Sequence, residues 1–390
     1  MKDRVHLSKT FVIVCSVFIV VGLAAFIYGI ISDQQRTWAN YLLNNFYFLS
    51  LAVGAAFFLS LQSVTQSGWS AGFRRIPEAM MAYIPFAGIL LLFLIVGMHN
   101  IYQWSNSDLV STSKALQHKS AYLNIPFFFT RLVIFFVVWI FLSYKIRKAS
   151  LREDEIGGLE NFKKAEWYSK IFIFVLAITF SLTGVDLIMS IDANWSSTIF
   201  ALKNFVAAFL HGSAVIFIII VILNRKGYFS FLNVSHIHDF ARYIFMISIL
   251  YGYFWFAQFM LIWFGNIPEE TIYYAIRWNH EWQPAWIADI VLNWAIPFFV
   301  LLPVNTSRNK WIVFSVALIL IAGQWIDLFI EIFPGSVGHS HFGFIEIGTY
   351  LGFAGLFILV VGFSLTKASI VPQKHPYIEE SYHHHFESYI

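Results

Sequence analysis

The stretch WIVFSVALILIAGQWIDLFIEIF, residues 311–333, decides the fold. It is longer than the ~20 apolar residues needed to cross ~30 Å of hydrocarbon. It nevertheless carries two acids, Asp327 and Glu331, which lie four positions apart and therefore share one helix face. A charge in lipid is costly and is usually kept for ions, protons or a redox ligand. This run predicts a membrane helix that carries a polar site.

Nine further runs are similar in length and apolarity. Hydrophobic residues make up 58% of the 390 residues and charged residues only 12%, which is typical of membrane proteins. Lipid offers no partner for an unpaired backbone group, so each run should be a helix. We expect an all-α integral membrane protein with ten transmembrane helices. The predicted spans are residues 10–32, 40–65, 76–98, 124–146, 168–190, 198–223, 239–264, 284–304, 311–333 and 343–366.

The basic residues indicate the orientation. If the N-terminus is cytoplasmic, the inner segments hold most of the 25 Lys and Arg and the outer loops hold few. The positive-inside rule then puts both termini in the cytoplasm. Cys15 is the only cysteine, which excludes a disulfide, a thiolate metal site and covalent haem attachment within the chain.

The middle eight spans are similar to two copies of a four-helix unit. Residues 43–46, LNNF, match residues 202–205, LKNF, in spans two and six. Residues 185–191, VDLIMSI, match residues 326–332, IDLFIEI, in spans five and nine. Corresponding helices would run in the same direction, so the repeat is parallel and its axis follows the membrane normal.

This repeat gives the expected organisation of a single membrane domain over residues 1–390. Two four-helix bundles, spans two to five and six to nine, are flanked by the first and last spans. We expect the charged inner loop 147–166 to separate the bundles or to dock a partner. The predicted parts are a flanking helix 10–32, a first bundle 40–190, a second bundle 198–333, a flanking helix 343–366 and a cytoplasmic tail 367–390.

Ionisable residues inside the spans cluster in the outer leaflet, and His211 lies a little deeper. The functional interpretation is a polar, partly hydrated site open to the outside. Acids there could accept protons from a quinol, and His211 could bind a quinone carbonyl or relay a proton. The alternative is structural pairing of bases with acids between helices. The candidates for a proton path or quinone site are Asp186, His211, Asp289, Asp327, Glu331, Arg131, Lys203 and Glu346.

The repeat places Asp186 and Asp327 in equivalent positions, and Arg131 near the position of Asp289. We expect Arg131 to tune the proton affinity of the acids. Two unit charges ~4 Å apart interact by ~4 kcal/mol at an effective dielectric of ~20, which is enough to matter.

The inner side offers fewer candidates. Glu78 begins span three, and His238 and Arg242 share a face at the start of span seven. They could cap helices at the interface, or they could form an inner half-channel that brings protons towards His211. His211 is the only histidine well inside a span, so haem held by two histidines is not expected, and neither is a bound metal.

Four segments resemble a known family. Residues 184–198, GVDLIMSIDANWSST, resemble a segment of the polysulfide reductase NrfD-like membrane subunits. Residues 253–270, YFWFAQFMLIWFGNIPEE, are similar to the version of that subunit in alternative complex III. Residues 69–78, WSAGFRRIPE, and 372–376, PQKHP, also resemble its ActF-type subunits. The resemblance runs from about residue 40 to the C-terminus.

This resemblance implies ten helices arranged as the repeat predicts, in the inner membrane of a bacterium. It implies a subunit that is not catalytic alone and takes part in quinol:cytochrome c oxidoreduction. The quinone, expected to be menaquinone, would react on the outer side. Haems and iron–sulfur clusters would be carried by partners only. The partners implied are a multihaem cytochrome c, an iron–sulfur subunit, a sister NrfD-like subunit and a haem-copper oxidase, besides the lipid bilayer, and no nucleic acid.

Three functions therefore stand as expectations. The first is a subunit that contributes a quinone pocket or a proton path to a respiratory complex. The second is a proton-coupled secondary transporter, because parallel repeats with buried charges also suit carriers. The third is a passive scaffold whose acids are all satisfied by neighbouring bases.

Overall fold

The computed structural model describes residues 4–385, so residues 1–3, with Lys2, and the last part of the predicted tail, 386–390, lie outside the described residues. Within the described range the chain is helical and contains no β-strand. The α-helices are α1 Lys9–Ser32, α2 Gln34–Val64, α3 Arg75–Met81, α4 Ile84–Phe93, α5 Ser107–Thr112, α6 Lys114–Lys119, α7 Ile125–Ile156, α8 Leu159–Leu187, α9 Thr198–Arg225, α10 Val234–Gly265, α11 Pro268–Arg277, α12 Gln283–Ile290, α13 Ile296–Leu301, α14 Val304–Ser307, α15 Lys310–Ser336, α16 Phe344–Thr366 and α17 Ile378–Tyr382.

Ten of these segments are long and apolar enough to cross a membrane, which confirms the predicted all-α, ten-span fold class. Two spans are built from consecutive helices: α3 and α4 form one, and α12 and α13 form another around a π-helical turn, Val291–Ala295. The ten spans are α1, α2, α3–α4, α7, α8, α9, α10, α12–α13, α15 and α16.

Polar side chains fix where many of the helices begin. An N-cap side chain accepts a hydrogen bond from a backbone N–H of the first turn that would otherwise lack a partner. Ser8 accepts from the N–H of Phe11, at 3.1 Å, and Asp33 accepts from that of Arg36, at 3.1 Å. Asn124, Asn233 and Asn309 do the same for α7, α10 and α15. These short polar residues stand between the apolar runs, which is why the sequence alone located the spans.

Helices α2 and α9 form the centre of the protein. Their apolar windows are 94% and 83% buried, whereas that of α1 is 17% buried. The two central helices pack directly on each other, and α2 also packs on α8, α3 and α15, while α9 packs on α10, α15 and α8. A residue on the inner faces of α2 or α9 is therefore shielded from lipid on all sides.

The remaining helices surround this pair in two groups. Helix α7 packs on α8 and α4, next to α2, and helix α12 packs on α15 while α13 packs on α10, next to α9. Helices α1 and α16 pack along each other, and α16 also contacts α2 and α3. The division into two four-helix units with a flanking pair stays a prediction, and so does the parallel repeat that would relate the two units.

The segment 147–166 differs from the loop that the sequence predicted. Helix α7 continues to Ile156 and α8 already begins at Leu159, so most of the segment is helical. The turn consists of Gly157 and Gly158, whose φ angles of 76° and 78° favour glycine. The segment joins α7 to α8 and therefore does not separate the two units. Charged residues such as Lys and Glu favour helix once the chain has left lipid, so both helices continue beyond their apolar runs.

The C-terminal tail lies across the same end of the protein as the N-terminus. We call this end the terminal face, formed by residues 4–8, 65–74, 153–159, 226–239 and 367–385. The backbone N–H of Gln373 donates to Asp154 at 2.9 Å, and the side chain of Asn233 donates to the carbonyl of His384 at 2.6 Å. Tyr228 donates to the carbonyl of Arg4 at 3.1 Å. The opposite end, with loops 97–124, 192–197, 266–282 and 337–343, is called the far face.

His375 anchors the tail in a buried position. Its ring lies edge-on to Phe162, with centroids 5.4 Å apart, and its Nε2 is 4.0 Å from the carboxylate of Glu153. Burial and the nearby guanidinium groups of Arg74 and Arg75 lower the pKa of His375 to about 2. The docked tail therefore requires a neutral imidazole.

We predict that acid releases the tail. In the undocked tail the pKa of His375 is ~6.5, so the imidazole binds a proton that it does not bind when the tail is docked. Docking of the tail should therefore weaken about tenfold for each pH unit below ~6.5. Hydrogen-exchange protection of residues 371–385 between pH 7.5 and pH 5 measures this. His375→Gln should make protection nearly independent of pH over that range. Equal pH dependence in both proteins would contradict the assignment to His375.

A second prediction concerns the contact between the central helices. A Cβ placed on Gly54 would lie 1.9 Å from the carbonyl oxygen of Ala208, and one on Gly212 would lie 2.7 Å from the backbone of Gly54. Gly54→Ala should therefore force α2 and α9 apart and cost about 1–3 kcal/mol. Thermal unfolding in detergent measures the loss. Gly265→Ala is the control, because a Cβ there meets nothing within 4 Å, and an equal loss in the control would refute the close-packing argument.

Candidate functional site

Three carboxyl groups and one lysine meet inside the second helix unit, near the far face. The ammonium nitrogen of Lys203 lies 2.5 Å from Oδ1 of Asp327 and 2.6 Å from Oε1 of Glu331. Asp289 lines the same small cavity, and all four side chains are buried. We call these four residues the acid cluster. One lysine cannot balance three ionised carboxylates, so the cluster can be electrically neutral only if carboxyl groups hold protons.

Helix geometry brings the cluster together. Asp327 and Glu331 are one turn apart on α15 and face α9, where Lys203 sits one turn after the helix begins. Asp289 comes from α12, which packs on α15. The long lysine side chain spans the gap between α9 and α15, so the polar groups meet each other inside the protein.

Helix α10 supplies hydrogen bonds to the third acid. The hydroxyl of Tyr251 donates to Oδ1 of Asp289 at 2.7 Å, and the indole N–H of Trp255 donates to Oδ2 at 2.8 Å. The side-chain amide of Asn293 donates to Oδ1 at 2.8 Å. Both oxygens of Asp289 are thus held in place by neutral donors.

The π-helical turn explains why Asn293 reaches this position. Pro297 lies four residues later, and its ring would clash with the carbonyl of Asn293 in a regular α-helix. The backbone widens into a π turn, a feature frequently found at functional sites. The amide of Asn293 then lies over Gly323 of α15, where an added Cβ would come within 2.3 Å of its oxygen.

His211 is connected to the acid cluster through this asparagine. Its Nε2 lies 2.8 Å from Oδ1 of Asn293, and its Nδ1 lies 2.5 Å from the carbonyl oxygen of Ala207. The imidazole is completely buried near the middle of α9, and its ring centroid is 6.4 Å from that of Tyr251. A continuous hydrogen-bonded chain therefore runs from His211 through Asn293 to Asp289.

A small polar cavity of about 30 Å³ lies among the charged groups. Oδ2 of Asp327 and Oε2 of Glu331 have no hydrogen-bond partner among the described residues. A cavity of this size, lined by polar atoms, has room for a water molecule. These two oxygens are free to hold a proton or to accept a hydrogen bond from a molecule that enters. The cavity is lined by Lys203, Trp255, Gln258, Tyr273, Tyr274, Arg277, Trp286, Asp289, Asp327, Ile330 and Glu331.

Helix α11 closes the cluster on the far face. The guanidinium of Arg277 lies 3.3 Å over the ring of Tyr273 and donates to the backbone carbonyls of Ile330, at 2.9 Å, and Glu331, at 3.1 Å. It also lies 3.5 Å from Asp192. Arg277 is thus engaged with backbone groups and with a different acid, and leaves Lys203 as the cation that contacts the cluster carboxyls.

Two larger clefts flank α10 and α11 on the outside of the cluster. One, of about 460 Å³, is lined by Phe259, Ile262, Trp263, Asn266, Thr271 and Tyr274. The other, of about 410 Å³, is lined by Val185, Met189, Ser196, Ser197, Thr198, Ile199, Gln258, Leu261, Ile262 and Glu270. Tyr274 lines both the first cleft and the small polar cavity, and Gln258 lines both the second cleft and that cavity. One polar side chain therefore separates each cleft from the acids.

Burial keeps the phenol at the first cleft neutral. It raises the pKa of Tyr274 well above the ordinary value for tyrosine. Tyr274 thus has a hydroxyl proton to donate at any physiological pH, towards either the cleft or the cavity.

Arg131 and Asp186 form a separate, closed ion pair. Nε and NH2 of the guanidinium each lie 3.0 Å from one carboxylate oxygen, a two-pronged arrangement, and NH1 donates to the carbonyl of Tyr122 at 3.0 Å. The carboxylate is fully buried. The guanidinium is committed to Asp186, and no hydrogen bond or ion pair found within residues 4–385 joins this pair to the acid cluster.

Glu346 is enclosed in a similar way. The guanidinium of Arg36 binds both carboxylate oxygens, at 2.7 and 2.6 Å, and Asn40 adds a bond of 2.9 Å. The carboxylate also accepts from the N–H of Gly343, 2.7 Å away, at the start of α16. Glu346 therefore joins the beginnings of α2 and α16, which is a structural arrangement.

The candidates at the terminal face are spread over two places. Glu78 accepts from Arg75 at 2.6 Å and from Ser150 at 2.5 Å, and lies 3.2 Å from Arg74, in a buried network that ties α3 to α7. His238 contacts the hydroxyl of Ser307 at 3.0 Å.

The remaining candidate on this side is Arg242, which is more than half exposed and lies 3.9 Å from Asp239. Between His238 and Tyr251, α10 runs for about 20 Å, at ~1.5 Å per residue. No hydrogen bond found in the described part of the chain links His238 to His211.

Five of the residues that meet here are predictable from the sequence, whereas several neutral ones are not. Asp289, Asp327, Glu331, Lys203 and His211 were predicted, because ionisable residues stand out in an apolar run. The hydrogen-bonding partners were missed, since a tyrosine, a tryptophan or an amide in a span has many ordinary explanations. Pro297 in the eighth span was the available signal for the π turn. The missed residues are Tyr251, Trp255, Gln258, Tyr274, Arg277 and Asn293.

Comparison with the models of known protein families and with curated proteins finds no match for this chain. Among residues 4–385, no group of three or more His, Cys, Asp and Glu is placed to hold a metal ion.

We predict that the Arg131–Asp186 pair is structural. Arg131→Met or Asp186→Leu alone leaves an unpaired buried charge and should cost about 3–5 kcal/mol, whereas the double substitution should recover most of that loss. Apparent thermal unfolding in detergent measures both. A double variant no more stable than the single ones would show that the pair is more than two mutually compensating charges.

Proposed function

We propose that this chain is a membrane subunit of a quinol-oxidising respiratory complex, of the ActF type found in alternative complex III. In this proposal it lies in a bacterial inner membrane with both termini in the cytoplasm. Its far face is then the outer face, where iron–sulfur and haem-bearing partners would dock. The four sequence segments described above support the family, and the geometry of the acid cluster supports the chemistry.

The observation that carries the chemical part is the charge imbalance of the acid cluster. Two buried carboxyl groups contact Lys203 and a third, Asp289, lines the same cavity, while Oδ2 of Asp327 and Oε2 of Glu331 have neither a hydrogen-bond nor an ion-pair partner in the described chain. Such a site can gain or lose a proton with little rearrangement. The closed pairs at Asp186 and Glu346 lack this capacity, because every charge there is already matched.

A quinol could deliver protons to this cluster from either neighbouring cleft. The clefts of about 460 and 410 Å³ have largely apolar linings suited to a quinone ring and the start of its isoprenoid tail. Oxidation of one quinol releases two protons and two electrons. In the proposal the protons pass by way of Tyr274 or Gln258 to the cluster carboxylates. The electrons leave to an iron–sulfur cluster or haem on a partner subunit.

The rival functions predict different behaviour. A proton-coupled transporter would use the same acids, but it would work alone in vesicles. A passive scaffold would have all its acids matched, as observed for Asp186 and Glu346. The first helix unit fits the scaffold role, and the acid cluster of the second unit is the reason to propose more.

We expect Asp289→Asn, Asp327→Asn and Glu331→Gln, made in the intact complex, to lower quinol:cytochrome c turnover by about 10²-fold, the contribution of one proton acceptor. Glu160→Gln is a matched control, since Glu160 is an exposed acid on α8. The same purification tests the partners, because a respiratory subunit should arrive with haem-bearing and iron–sulfur proteins. Full turnover in all three cluster variants would end the proposal.

A further inference from the structure

Asn293 stands between two ionisable groups and presents a different end of its amide to each. Its nitrogen is 2.8 Å from Oδ1 of Asp289, and its oxygen is 2.8 Å from Nε2 of His211. The other ring nitrogen of His211 lies 2.5 Å from the carbonyl of Ala207. An amide oxygen only accepts and an amide nitrogen only donates, so these contacts restrict the protonation of both neighbours.

The arrangement seen in the structure fits one protonation state of His211. The Ala207 carbonyl can only accept, so Nδ1 of His211 carries a hydrogen, and the Asn293 oxygen can only accept, so Nε2 carries one as well. His211 is then a cationic imidazolium. Asp289 accepts from Asn293, from Tyr251 and from Trp255, and three donors favour the carboxylate.

A half-turn of the Asn293 amide gives the only other arrangement in which both contacts are satisfied. The amide nitrogen then donates to a bare Nε2, and His211 is neutral with its hydrogen on Nδ1. The amide oxygen now faces Asp289, which must be a protonated acid to donate to it. A neutral His211 beside an ionised Asp289 places two acceptors in contact whichever way the amide points, and in a buried site each unmade bond costs roughly 1–3 kcal/mol.

We propose that Asn293 is a positioning residue that couples the protonation of Asp289 to that of His211. The pair holds one proton, carried either on Nε2 of His211 or on the carboxyl of Asp289. When the proton leaves the imidazolium, the carboxylate gains one, no electron moves and the net charge of the buried site stays constant. Exchange between the two states requires rotation of the amide.

Two features of the surroundings favour this exchange. Gly323 faces the amide oxygen, and a methyl group there would come within 2.3 Å of it, so glycine leaves the space in which the amide turns. The exchange also keeps constant the net charge that is surrounded by the other ionisable groups. They are Lys203, Asp327, Glu331 and Tyr251, with Tyr274 and Arg277 on the far-face side.

In the respiratory role this coupling would move protons along the membrane normal. A proton accepted by the acid cluster at the far face could appear on His211, near the middle of the membrane, and return in the same way. This use of the coupling rests on the proposed function, whereas the coupling itself does not.

Infrared spectroscopy of the intact, membrane-embedded protein tests the coupling as the temperature is varied, because an exchange that conserves protons has no pH midpoint of its own. The C=O band of protonated Asp289 is identified by its loss in Asp289→Asn, and the ring bands of His211 by isotope-labelled histidine and their loss in His211→Gln. In the native protein every gain of the carboxyl band should be matched by an equal loss of the imidazolium bands. In Asn293→Leu, which has a similar volume but no amide, this match should be lost and the two groups should titrate separately, with midpoints about one pH unit or more apart.

The result that would overturn the proposal is independent change of the carboxyl and imidazolium bands in the native protein, or the same matched change in Asn293→Leu. If that variant does not fold, Gly323→Ala serves instead, because its methyl group should block the amide and likewise abolish the matched change. Quinol turnover measured on the same samples keeps the two proposals apart. Full turnover in Asp289→Asn, Asp327→Asn and Glu331→Gln alike would refute the proposed function, and the infrared bands alone decide the coupling.

Discussion

The contact between Lys203 and the two acids of α15 is the interaction on which the functional part of this protein depends. A lysine placed in an apolar helix is unfavourable unless an acid meets it. Here it lies 2.5 Å from Asp327 and 2.6 Å from Glu331, in the interior between α9 and α15. The contact holds the two helices in register and leaves the second unit with more acids than bases. The same ion pairs thus hold α9 against α15 and form the site that can exchange protons.

Positions that the predicted repeat makes equivalent have different surroundings in the structure. The predicted repeat pairs Asp186 with Asp327 and Arg131 with Asp289. In the first unit the base meets the acid in a two-pronged pair. In the second unit an acid stands where the arginine would be, and Lys203, opposite Asn44 in the repeat, supplies the positive charge from another helix. In the predicted repeat, three exchanges separate the closed pair from the unbalanced cluster: aspartate for arginine, lysine for asparagine, and Glu331 in the place of Ser190.

The sequence predicted the fold well because membrane helices are set by a local rule. Length and apolarity over ~20 residues identify a span, and short polar residues such as Asp33 and Asn124 mark the ends. The error at 147–166 came from the same rule, since it does not apply where a helix extends beyond lipid. The gathering of charged residues near one face was also readable, because acids and bases are rare in such runs.

Which of those charged residues meet could not be read from the sequence. In a hydropathy profile the three acids Asp186, Glu346 and Asp327 look the same. Their partners are decided by helix packing: α7 on α8 for Asp186, α2 against α16 for Glu346, and α9 on α15 for Asp327. The neutral residues were harder still. Asn293 acquires its position from a π turn, whose cause is a proline four residues later, and from a glycine on a neighbouring helix. A side-chain position that depends on three separate parts of the chain leaves no pattern in any short stretch of the sequence.

The choice of residue types at the site follows from the need to keep charge constant in a low-dielectric interior. Lysine stays protonated and supplies a fixed positive charge, while histidine can carry or release a proton near neutral pH. An amide between the histidine and an acid adds no charge of its own, but it has distinguishable ends. A second carboxyl at position 293 would add a charge to a cluster already rich in acids, and an apolar residue would separate the two groups electrically and chemically. Asparagine is therefore the side chain that can join them while the buried charge remains the same.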